Sequence, residues 1–445
     1  MSHDAAMRQA AQFFGSGRLD EAARACEEIL RDDAGHFYAL HLSSAIALRR
    51  AQFDACIAFA TRALDVAPGH PEVLANRGAA YRRSNRIDQA LADYDTALGA
   101  GAATPALLVN RGIALAALNR HEEAIAQYDR AIALDARHAP AHFHRGLSRL
   151  VLGELAGGFA DNEWRWGGSD TQGPARALDG RPWTGAEDIR GSTVLLYAEQ
   201  GLGDTIQFAR YATLLKERGA RVILEIPPPL VQLLSGLADE VVEIGAALPR
   251  FDFHLAMLSA PFAFGTTLDD IPAAARYLQA HAQALAKWQM REHAAPSPRI
   301  GFAWSGSRTL ANDLNRSMPL ATMLPLVERA GTAFSLQKDV RDSDAGTLAA
   351  SRLVPASNAL RDFADTAGLI EQLDLVITVD TAVAHLAGAL GKPVWVLLPF
   401  SPDWRWLLDR SDSPWYPSAR LFRQQRLGDW QPVIAGAGAA LADLA

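Results

Sequence analysis

The sequence predicts an all-α solenoid of helical repeats followed by two α/β domains, each built on a parallel sheet. Two observations lead to this prediction. Residues 76–97 align almost residue for residue with residues 110–131, so the chain repeats at a fixed period. Beyond residue 192, short apolar, β-branched runs alternate with helical segments, as in parallel strands joined by crossover helices. The predicted divisions are repeats over 1–168, a linker over 169–192, and α/β domains over 193–290 and 296–445.

Composition narrows the class of protein. A chain of 445 residues is long enough for two to four domains. It is 49% hydrophobic and 21% charged, which is typical of globular domains with large cores. The formal net charge of −7 disfavours wholesale binding to nucleic acid or to anionic membranes. Cys26 and Cys56 show no CxxC or Cys/His metal spacing, so we expect small core residues in a reducing compartment.

Targeting signals are not evident in the sequence. The first residues, MSHDAAMRQAAQFF, lack the charged-then-apolar pattern of a signal peptide. No run of 18 uninterrupted apolar residues occurs, so we expect no membrane span. These features together predict a cytoplasmic protein.

The repeated segments carry small and aromatic residues at fixed places. Gly78 and Tyr94 recur 34 residues later as Gly112 and Tyr128, and weaker copies on both sides extend the array to four or five repeats. The pattern resembles the tetratricopeptide repeat, whose small residues let two helices approach while an aromatic side chain fills the gap. The resemblance implies stacked helical hairpins with a concave surface for a protein or peptide partner.

The first α/β domain contains a polar turn, QGLGD at 200–204, after the predicted strand Thr193–Tyr197. Its glycines do not make a dinucleotide fingerprint, because the third glycine is missing. They place Asp204 at a helix start on the ligand edge of the sheet, where the helix dipole favours the ionised carboxylate. Such a carboxylate can accept a proton from a hydroxyl. The alternative is that Asp204 only caps the helix. His254, at a predicted strand end, is a candidate for the same cleft or a structural residue.

The second α/β domain centres on residues 374–399, DLVITVDTAVAHLAGALGKPVWVLLP. This reads as a buried strand over Leu375–Val379, a turn at Asp380 and Thr381, a helix and a second buried strand. His385 lies four residues after Thr381, on the same helix face. A helix N-terminus with a hydroxyl and an imidazole suits a phosphate or pyrophosphate. The alternative is that the turn merely caps the helix and that His385 packs.

Two cations follow strands of the same domain. Arg316 closes a polar loop, and Lys338 follows a predicted strand end. Loops of this kind can surround a diphosphate with donors, and these two residues are the best local cations for it. A solvated surface charge is the alternative for each.

Two facing parallel-sheet domains resemble the GT-B fold, and the motifs narrow the resemblance. QGLGD is similar to the N-terminal turn of glycosyltransferase family 9, the heptosyltransferases of lipopolysaccharide assembly. DTAVAH at 380–385, followed by GKP at 391–393, is similar to that family's nucleotide-sugar signature. The resemblance implies that Asp204 is the catalytic base. It implies that Thr381 and His385, with the helix start, hold the donor pyrophosphate and that Arg316 supports the leaving diphosphate. Together with the residues singled out above, the predicted nucleotide-sugar site comprises Gly203, Arg316, Lys338, Asp380, Thr381 and His385.

Ala382 departs from the family pattern, which has glycine there. Its methyl group restricts how closely a phosphate can approach that backbone. The activity implied by the resemblance is an inverting, metal-independent transfer of a sugar from a nucleotide-sugar donor to an acceptor hydroxyl. No cofactor is expected, since the nucleotide sugar is a substrate, and no acidic DxD cluster predicts a metal.

The repeat array is foreign to ordinary heptosyltransferases and more familiar in bacterial enzymes that glycosylate proteins such as flagellin. The sequence therefore favours a protein acceptor recruited by the repeats. Asn76 and Asn110 occupy equivalent positions, where a row of carboxamides can hold a peptide backbone, as in similar repeat proteins joined to glycosyltransferases. With His254, they are the predicted acceptor-binding residues. The alternatives are a lipopolysaccharide or lipid-linked saccharide acceptor, and a catalytically inactive scaffold.

Overall fold

The computed structural model describes residues 3–167, 175–292, 296–308, 310 and 312–443. Within these residues the chain forms two compact units. The first runs to Ser148 and resumes at Trp164, and the second comprises Arg149–Glu163 and the chain from Ala175 onwards. The predicted fold class, a helical solenoid followed by two parallel-sheet domains, is confirmed. None of the helices in the described part of the chain is long and apolar enough to cross a membrane.

Antiparallel helical pairs build the first unit. Helices α1 and α2, α3 and α4, α5 and α6, and α7 and α8 pack as hairpins, and α9 begins a fifth pair. The division between the units falls inside α9, so α10 belongs to the second unit. The helices are α1 (His3–Gly15), α2 (Leu19–Asp32), α3 (Phe37–Arg49), α4 (Phe53–Val66), α5 (Pro71–Arg83), α6 (Ile87–Gly99), α7 (Pro105–Ala117), α8 (His121–Leu134), α9 (Ala139–Val151) and α10 (Leu155–Asn162).

The glycines of the repeat are required by close packing between paired helices. A Cβ on Gly78 would lie 2.5 Å from Cε1 of Tyr94, and a Cβ on Gly112 would lie 2.3 Å from Cε1 of Tyr128. Both distances are shorter than side-chain contacts in folded proteins, so only glycine lets the tyrosine ring lie against the facing helix. Both rings are fully buried. The period in the sequence therefore records one helix contact used in successive hairpins.

An arginine in three of the repeats joins consecutive hairpins. Arg77, Arg111 and Arg145 occupy equivalent places on the first helices of three successive hairpins. Each guanidinium reaches the second helix of the preceding hairpin. The contacts are Arg77 to the hydroxyl of Thr61 at 3.2 Å, Arg111 to Asp95 at 2.7 Å and Arg145 to Asp129 at 2.7 Å.

The first sheet holds five parallel strands in the order β1-β5-β2-β3-β4. The edge strand β1 lies inside the predicted linker and pairs with β5, so this part of the linker is built into the sheet. The strands are β1 (Arg181–Pro182), β2 (Thr193–Tyr197), β3 (Arg221–Ile226), β4 (Glu240–Glu243) and β5 (Phe253–Ala256). The helices are α11 (Leu202–Phe208), α12 (Tyr211–Glu217), α13 (Val231–Leu234) and α14 (Ala260–Phe264).

The second sheet holds six parallel strands in the order β11-β10-β9-β6-β7-β8. Its central strands β9 and β10 are fully buried, and β6 is buried beyond Arg299, as their continuous apolar sequences predict. The strands are β6 (Arg299–Ala303), β7 (Thr332–Ser335), β8 (Val354–Pro355), β9 (Leu375–Val379), β10 (Val394–Leu398) and β11 (Ala419–Arg423). The helices are α15 (Ala282–Glu292), α16 (Asp313–Arg316), α17 (Leu320–Val327), α18 (Asp342–Ala350), α19 (Phe363–Glu371), α20 (Ala382–Ala389) and α21 (Gln431–Ala442).

Helix α15 already belongs to the second α/β domain. The indole of Trp288 donates to the carbonyl of Asp365 on α19 at 2.9 Å, and Lys287 pairs with the Asp365 carboxylate at 2.8 Å. The chain therefore joins the second domain before residue 296, where the sequence places the domain start.

Candidate active site

Both predicted motifs lie at the carboxyl edges of their sheets. QGLGD follows β2 and opens α11, and Asp380 and Thr381 follow β9 and precede α20. In parallel sheets this edge is where ligands bind. The first turns of α11 and α20 therefore present the polar residues of both domains to one region, provided that the two helices meet.

Helices α11 and α20 do meet, at Gly203. A Cβ on Gly203 would lie 2.8 Å from Cδ2 of His385 and 3.5 Å from Cα of Ala382. Any larger residue at position 203 would push the two helices apart or displace the imidazole. The structure thus brings the two motifs into direct contact, and it gives Gly203 a packing role. Ala382, which stands where the family motif has glycine, faces this turn.

Buried contacts hold the two α/β domains together around this point. Arg210, between α11 and α12, donates to the carbonyl of Trp415 at 3.0 Å and to that of Pro272 at 3.2 Å. Its guanidinium lies 4.5 Å from the ring centroid of Tyr277, whose hydroxyl donates to the carbonyl of Ile206 at 3.0 Å. The relative position of the two motif helices is fixed by these contacts.

Asp204 is held at both carboxylate oxygens. Oδ2 accepts a hydrogen bond from the backbone N–H of Gly201 at 2.9 Å, and Oδ1 forms an ion pair with Arg405. The side chain is 22% exposed, so it remains accessible to a substrate. Burial raises the pKa of Asp204 above its ordinary value, and Arg405 opposes this effect. The sequence predicts that the helix dipole favours the ionised form of this carboxylate, and the structure adds a guanidinium as its main partner.

Arg405 is the principal residue that the sequence analysis missed. It lies in a short 3₁₀ turn, Trp404–Trp406, after β10. Its Nε donates to Oε1 of Gln207 at 2.6 Å, and its Nη1 donates to Oδ1 of Asp403 at 2.8 Å. The side chain is only 7% exposed. The pattern of an arginine between two tryptophans, just beyond a buried strand, is the sequence signal that points to it.

Asp380 is a second carboxylate in the same region. It is 9% exposed, and its backbone oxygen accepts a hydrogen bond from Nη1 of Arg316 at 3.1 Å. Burial, together with the charge of Asp403, raises the pKa of Asp380 to about 7, although Arg316 and Arg405 favour its ionised form. The carboxyl of Asp380 is therefore protonated in a substantial fraction of molecules near neutral pH.

Arg316 lies against Gly306, in the loop that follows β6. A Cβ on Gly306 would lie 2.3 Å from Nη2 of Arg316, so glycine is needed for the guanidinium to lie there. The Arg316 side chain is 13% exposed. The structure thus places this predicted donor-binding cation beside Asp380 at the edge of the second sheet.

Thr381 and His385 have structural contacts of their own. Thr381 is the N-cap of α20, since its hydroxyl accepts a hydrogen bond from the N–H of Val383 at 3.2 Å. The Nδ1 of His385 lies 3.0 Å from the hydroxyl of Tyr416, and its ring stacks on Trp406 at 5.6 Å. Burial holds the pKa of His385 well below its usual value, so the imidazole is neutral. His385 can donate a hydrogen bond to an anion but does not bring a charge.

The remaining predicted residues make contacts elsewhere. The ammonium of Lys338 donates to the carbonyl of Arg361 at 2.5 Å. His254 lies on β5, with its ring 6.2 Å from that of Tyr197, and burial lowers its pKa. Asn76 and Asn110 lie at equivalent, half-buried positions on the first helices of two successive hairpins. Their roles stay predictions.

Within the part of the chain that the structure describes, no three His, Cys, Asp or Glu side chains come together as a metal site.

Several known proteins are similar to this chain. Protein FlbA of Caulobacter vibrioides is 28% identical over 334 residues, which are 69% of this chain and 56% of the relative, so the chain spans little more than half of that protein. The structure of PilW, a type IV pilus biogenesis factor, is 20% identical, with a TM-score of 0.35 over 37% of this chain and 76% of PilW. TTC0263, a TPR protein of Thermus thermophilus, is 19% identical, with a TM-score of 0.33 over 36% of this chain and 89% of its own.

Two family models match parts of the chain. The segment that matches in the second α/β domain contains Asp380, Thr381, His385 and Arg405, and the segment that matches in the solenoid begins at Gly112. Residues 112–153 match the model of the TPR repeat, and residues 359–422 match the model of glycosyltransferase family 9 (heptosyltransferase).

Proposed function

We propose that the second unit is an inverting, metal-independent glycosyltransferase that moves a sugar from a nucleotide-sugar donor to an acceptor hydroxyl. The main support is the contact between Gly203 and His385, which puts a carboxylate of one parallel-sheet domain beside the family signature of the other. The family match over residues 359–422 supports the same reaction class. Neither motif alone could supply both a base and a donor site.

Asp204 acts as the base in this mechanism. Its carboxylate takes the proton of the acceptor hydroxyl while the acceptor oxygen attacks the anomeric carbon. The bond from that carbon to the diphosphate oxygen breaks, and the nucleoside diphosphate leaves with the electron pair. The pKa of Asp204, raised by burial, makes it a stronger base than a carboxylate in water.

The second domain stabilises the leaving group. Negative charge grows on the diphosphate as the bond breaks, so fixed donors contribute more in the transition state than in the ground state. Arg316 supplies charge, and the N-terminus of α20 supplies backbone N–H groups. The neutral imidazole of His385 supplies at most one further hydrogen bond. Protonated Asp380 avoids repulsion between its side chain and the diphosphate.

The acceptor is proposed to be a protein held by the repeats. Stacked hairpins commonly bind extended peptides, and Asn76 and Asn110 are half-exposed at equivalent positions. A bound acceptor is kept at a high local concentration for the transferase. Changing both asparagines to alanine should reduce transfer to protein while leaving donor hydrolysis unchanged, and Gln12→Ala, exposed on α1, is the control. Unchanged protein transfer by the double variant would remove these two residues from acceptor binding.

The description of the matching family as heptosyltransferases favours a second acceptor class, a saccharide of lipopolysaccharide type. Purified protein incubated with labelled nucleotide sugars, and with either cell protein or lipopolysaccharide, separates the two acceptors by the fraction that carries label. Absence of label in both fractions, with no thermal stabilisation by nucleoside diphosphates, would favour an inactive scaffold.

The base is tested with Asp204→Asn. The variant is expected to lose transfer by about 10²-fold or more while binding nucleotide nearly as the parent does, because only proton removal is lost. Asp412→Asn is the matched control, because Asp412 also pairs with an arginine, Arg410, but lies at the surface. Transfer retained by Asp204→Asn would refute the proposed role.

A further inference from the structure

Arg405 connects the second α/β domain to the helix that carries the proposed base. It extends from the turn after β10 and binds two side chains of α11. These are the carboxylate of Asp204 and the amide oxygen of Gln207, which lie three residues apart and thus on one helix face. The Arg405 guanidinium therefore holds the face of α11 that carries Asp204 and Gln207.

Arg405 is itself held by contacts with its neighbours in the turn and with Phe208. Its Nη1 donates to Oδ1 of Asp403 at 2.8 Å, and its backbone N–H donates to the same oxygen at 3.1 Å. Its guanidinium lies 4.4 Å from the ring centroid of Trp404 and 5.4 Å from that of Phe208. A guanidinium offers donors in a rigid planar fork, so it can serve Asp204, Gln207 and Asp403 at once. A lysine ammonium carries the same charge without this geometry.

A second charge near Asp204 opposes its ionisation. This is Asp403, which lies on the same turn as Arg405. With burial added, the site would favour a protonated Asp204 if Arg405 were absent. Arg405 is thus the main favourable charge for the Asp204 carboxylate.

The remaining basic groups that face this cluster are committed elsewhere or uncharged. Arg316 lies next to Asp380, and Arg210 on the first-domain side binds carbonyls and Tyr277. His385, packed from α20, is neutral. Within the described part of the chain, none of these contacts the Asp204 carboxylate, so they do not replace Arg405.

We propose that Arg405 is a positioning residue for the transfer reaction, which holds the Asp204 carboxylate in place and in its ionised form, ready to accept the proton of the acceptor. This inference rests on the proposed function, because it assigns Arg405 a role through Asp204. It goes beyond that proposal in giving the second domain control over the base of the first.

The test compares Arg405→Gln, Arg405→Lys and the parent chain by the pH dependence of kcat/KM for transfer. Arg405→Gln should move the acid limb of the kcat/KM profile about one to three pH units upwards. An opposite charge at contact distance lowers the pKa of a carboxyl group by that amount, and the variant loses this charge. Its kcat at neutral pH should fall by about 10²-fold. Arg405→Lys should keep the acid limb near that of the parent and recover part of kcat. Arg410→Gln, from an exposed pair with Asp412, is the control.

Several outcomes would overturn the inference. One is an unchanged acid limb and kcat in Arg405→Gln, and another is a loss confined to the KM of the donor, which would make Arg405 a donor ligand. If Arg405→Gln does not fold, Arg405→Lys and Gln207→Met decide. Gln207→Met removes one hydrogen bond that holds Arg405 and keeps the charge of Arg405. The variant's kcat should therefore fall, while the acid limb of its pH profile stays where it is in the parent. Parent-like kcat in both variants overturns the inference.

Transfer by the parent chain distinguishes a failure of the proposed function from a failure of the inference about Arg405. If the parent transfers no sugar from any donor, the base role and this inference fall together. If the parent is active, Asp204→Asn is inactive and Arg405→Gln behaves as the parent, only the inference about Arg405 is overturned.

Discussion

The carboxylate of Asp204 and the guanidinium of Arg405 form an ion pair between residues 201 positions apart in the chain. Asp204 comes from the helix after β2 in the first sheet, and Arg405 from the turn after β10 in the second. Both side chains are largely withdrawn from water. In such surroundings, removing one partner leaves a charge without compensation, which is costly. The pair therefore ties the geometry of the site to the packing of the two α/β domains.

The contact between α11 and α20 is tested by Gly203→Ala. The added methyl group would lie 2.8 Å from Cδ2 of His385, so the ring or a helix has to move. We expect a loss of about 1–3 kcal/mol in the free energy of unfolding, the usual range for overpacking, and a fall in transfer. Urea unfolding and the transfer assay measure the two effects. Gly236→Ala is the control, because nothing lies within 4 Å of its Cβ position. Equal stability of the two variants would contradict the close contact.

The buried carboxyl of Asp380 should make stability depend on pH. Its pKa is raised to about 7, whereas an unfolded chain has an ordinary carboxyl near pH 4, so the folded state binds more protons in between. The contribution of Asp380 to stability is therefore fully present below about pH 4 and declines as pH rises to about 7. The decline is at most about 4 kcal/mol, since one pKa unit corresponds to about 1.4 kcal/mol.

Asp380→Asn removes this dependence. The free energies of unfolding of variant and parent are measured by urea titration from pH 4 to 8. As pH rises, the variant should gain stability relative to the parent, and the difference should level off above about pH 7. Asp412→Asn is the control, because its pKa is lowered by Arg410 and it does not titrate in this window. A flat difference for Asp380→Asn would mean that Asp380 is ionised throughout.

Two acidic residues of α6 should differ in their effect on the solenoid. Asp93, 8% exposed, accepts hydrogen bonds from Nε and Nη2 of Arg77 at 2.8 and 2.7 Å. Asp93→Ala leaves a half-buried guanidinium without its main partner, so we expect a loss of about 2–3 kcal/mol. Asp95 is 55% exposed and pairs with Arg111. Asp95→Ala should therefore lower the free energy of unfolding by less than about 1 kcal/mol. Urea unfolding of both variants checks the ranking, which an equal loss would contradict.

Much of the fold could be predicted because its signals are local. The predicted strands Thr193–Tyr197 and Leu375–Val379 match the observed ones residue for residue, since both are continuous apolar runs next to glycine- or aspartate-rich turns. The strand β1 was not predicted, because it has only two residues and pairs through its backbone with β5. Helix α18 was also missed, since its sequence, DSDAGTLAA, has little apolar periodicity.

The candidate site was predicted only in part. The sequence predicts Asp204, Asp380 and His385 as site residues because their motifs resemble those of a known family, and the structure places them at neighbouring helix starts. Arg405 was missed, since its role depends on partners from another domain that no spacing reveals. The capping role of Thr381 was foreseen as an alternative, and the structure shows it.

The solenoid and the two parallel sheets can be predicted from the amino-acid sequence alone, because periodic small residues and continuous apolar strands are properties of short segments. The two turns that carry the polar residues are also evident there. Which charges meet depends on domain packing, which brings Asp204 to Arg405 and Gly203 to His385. These contacts join segments about two hundred residues apart, and their energies depend on burial that arises only when both domains are packed.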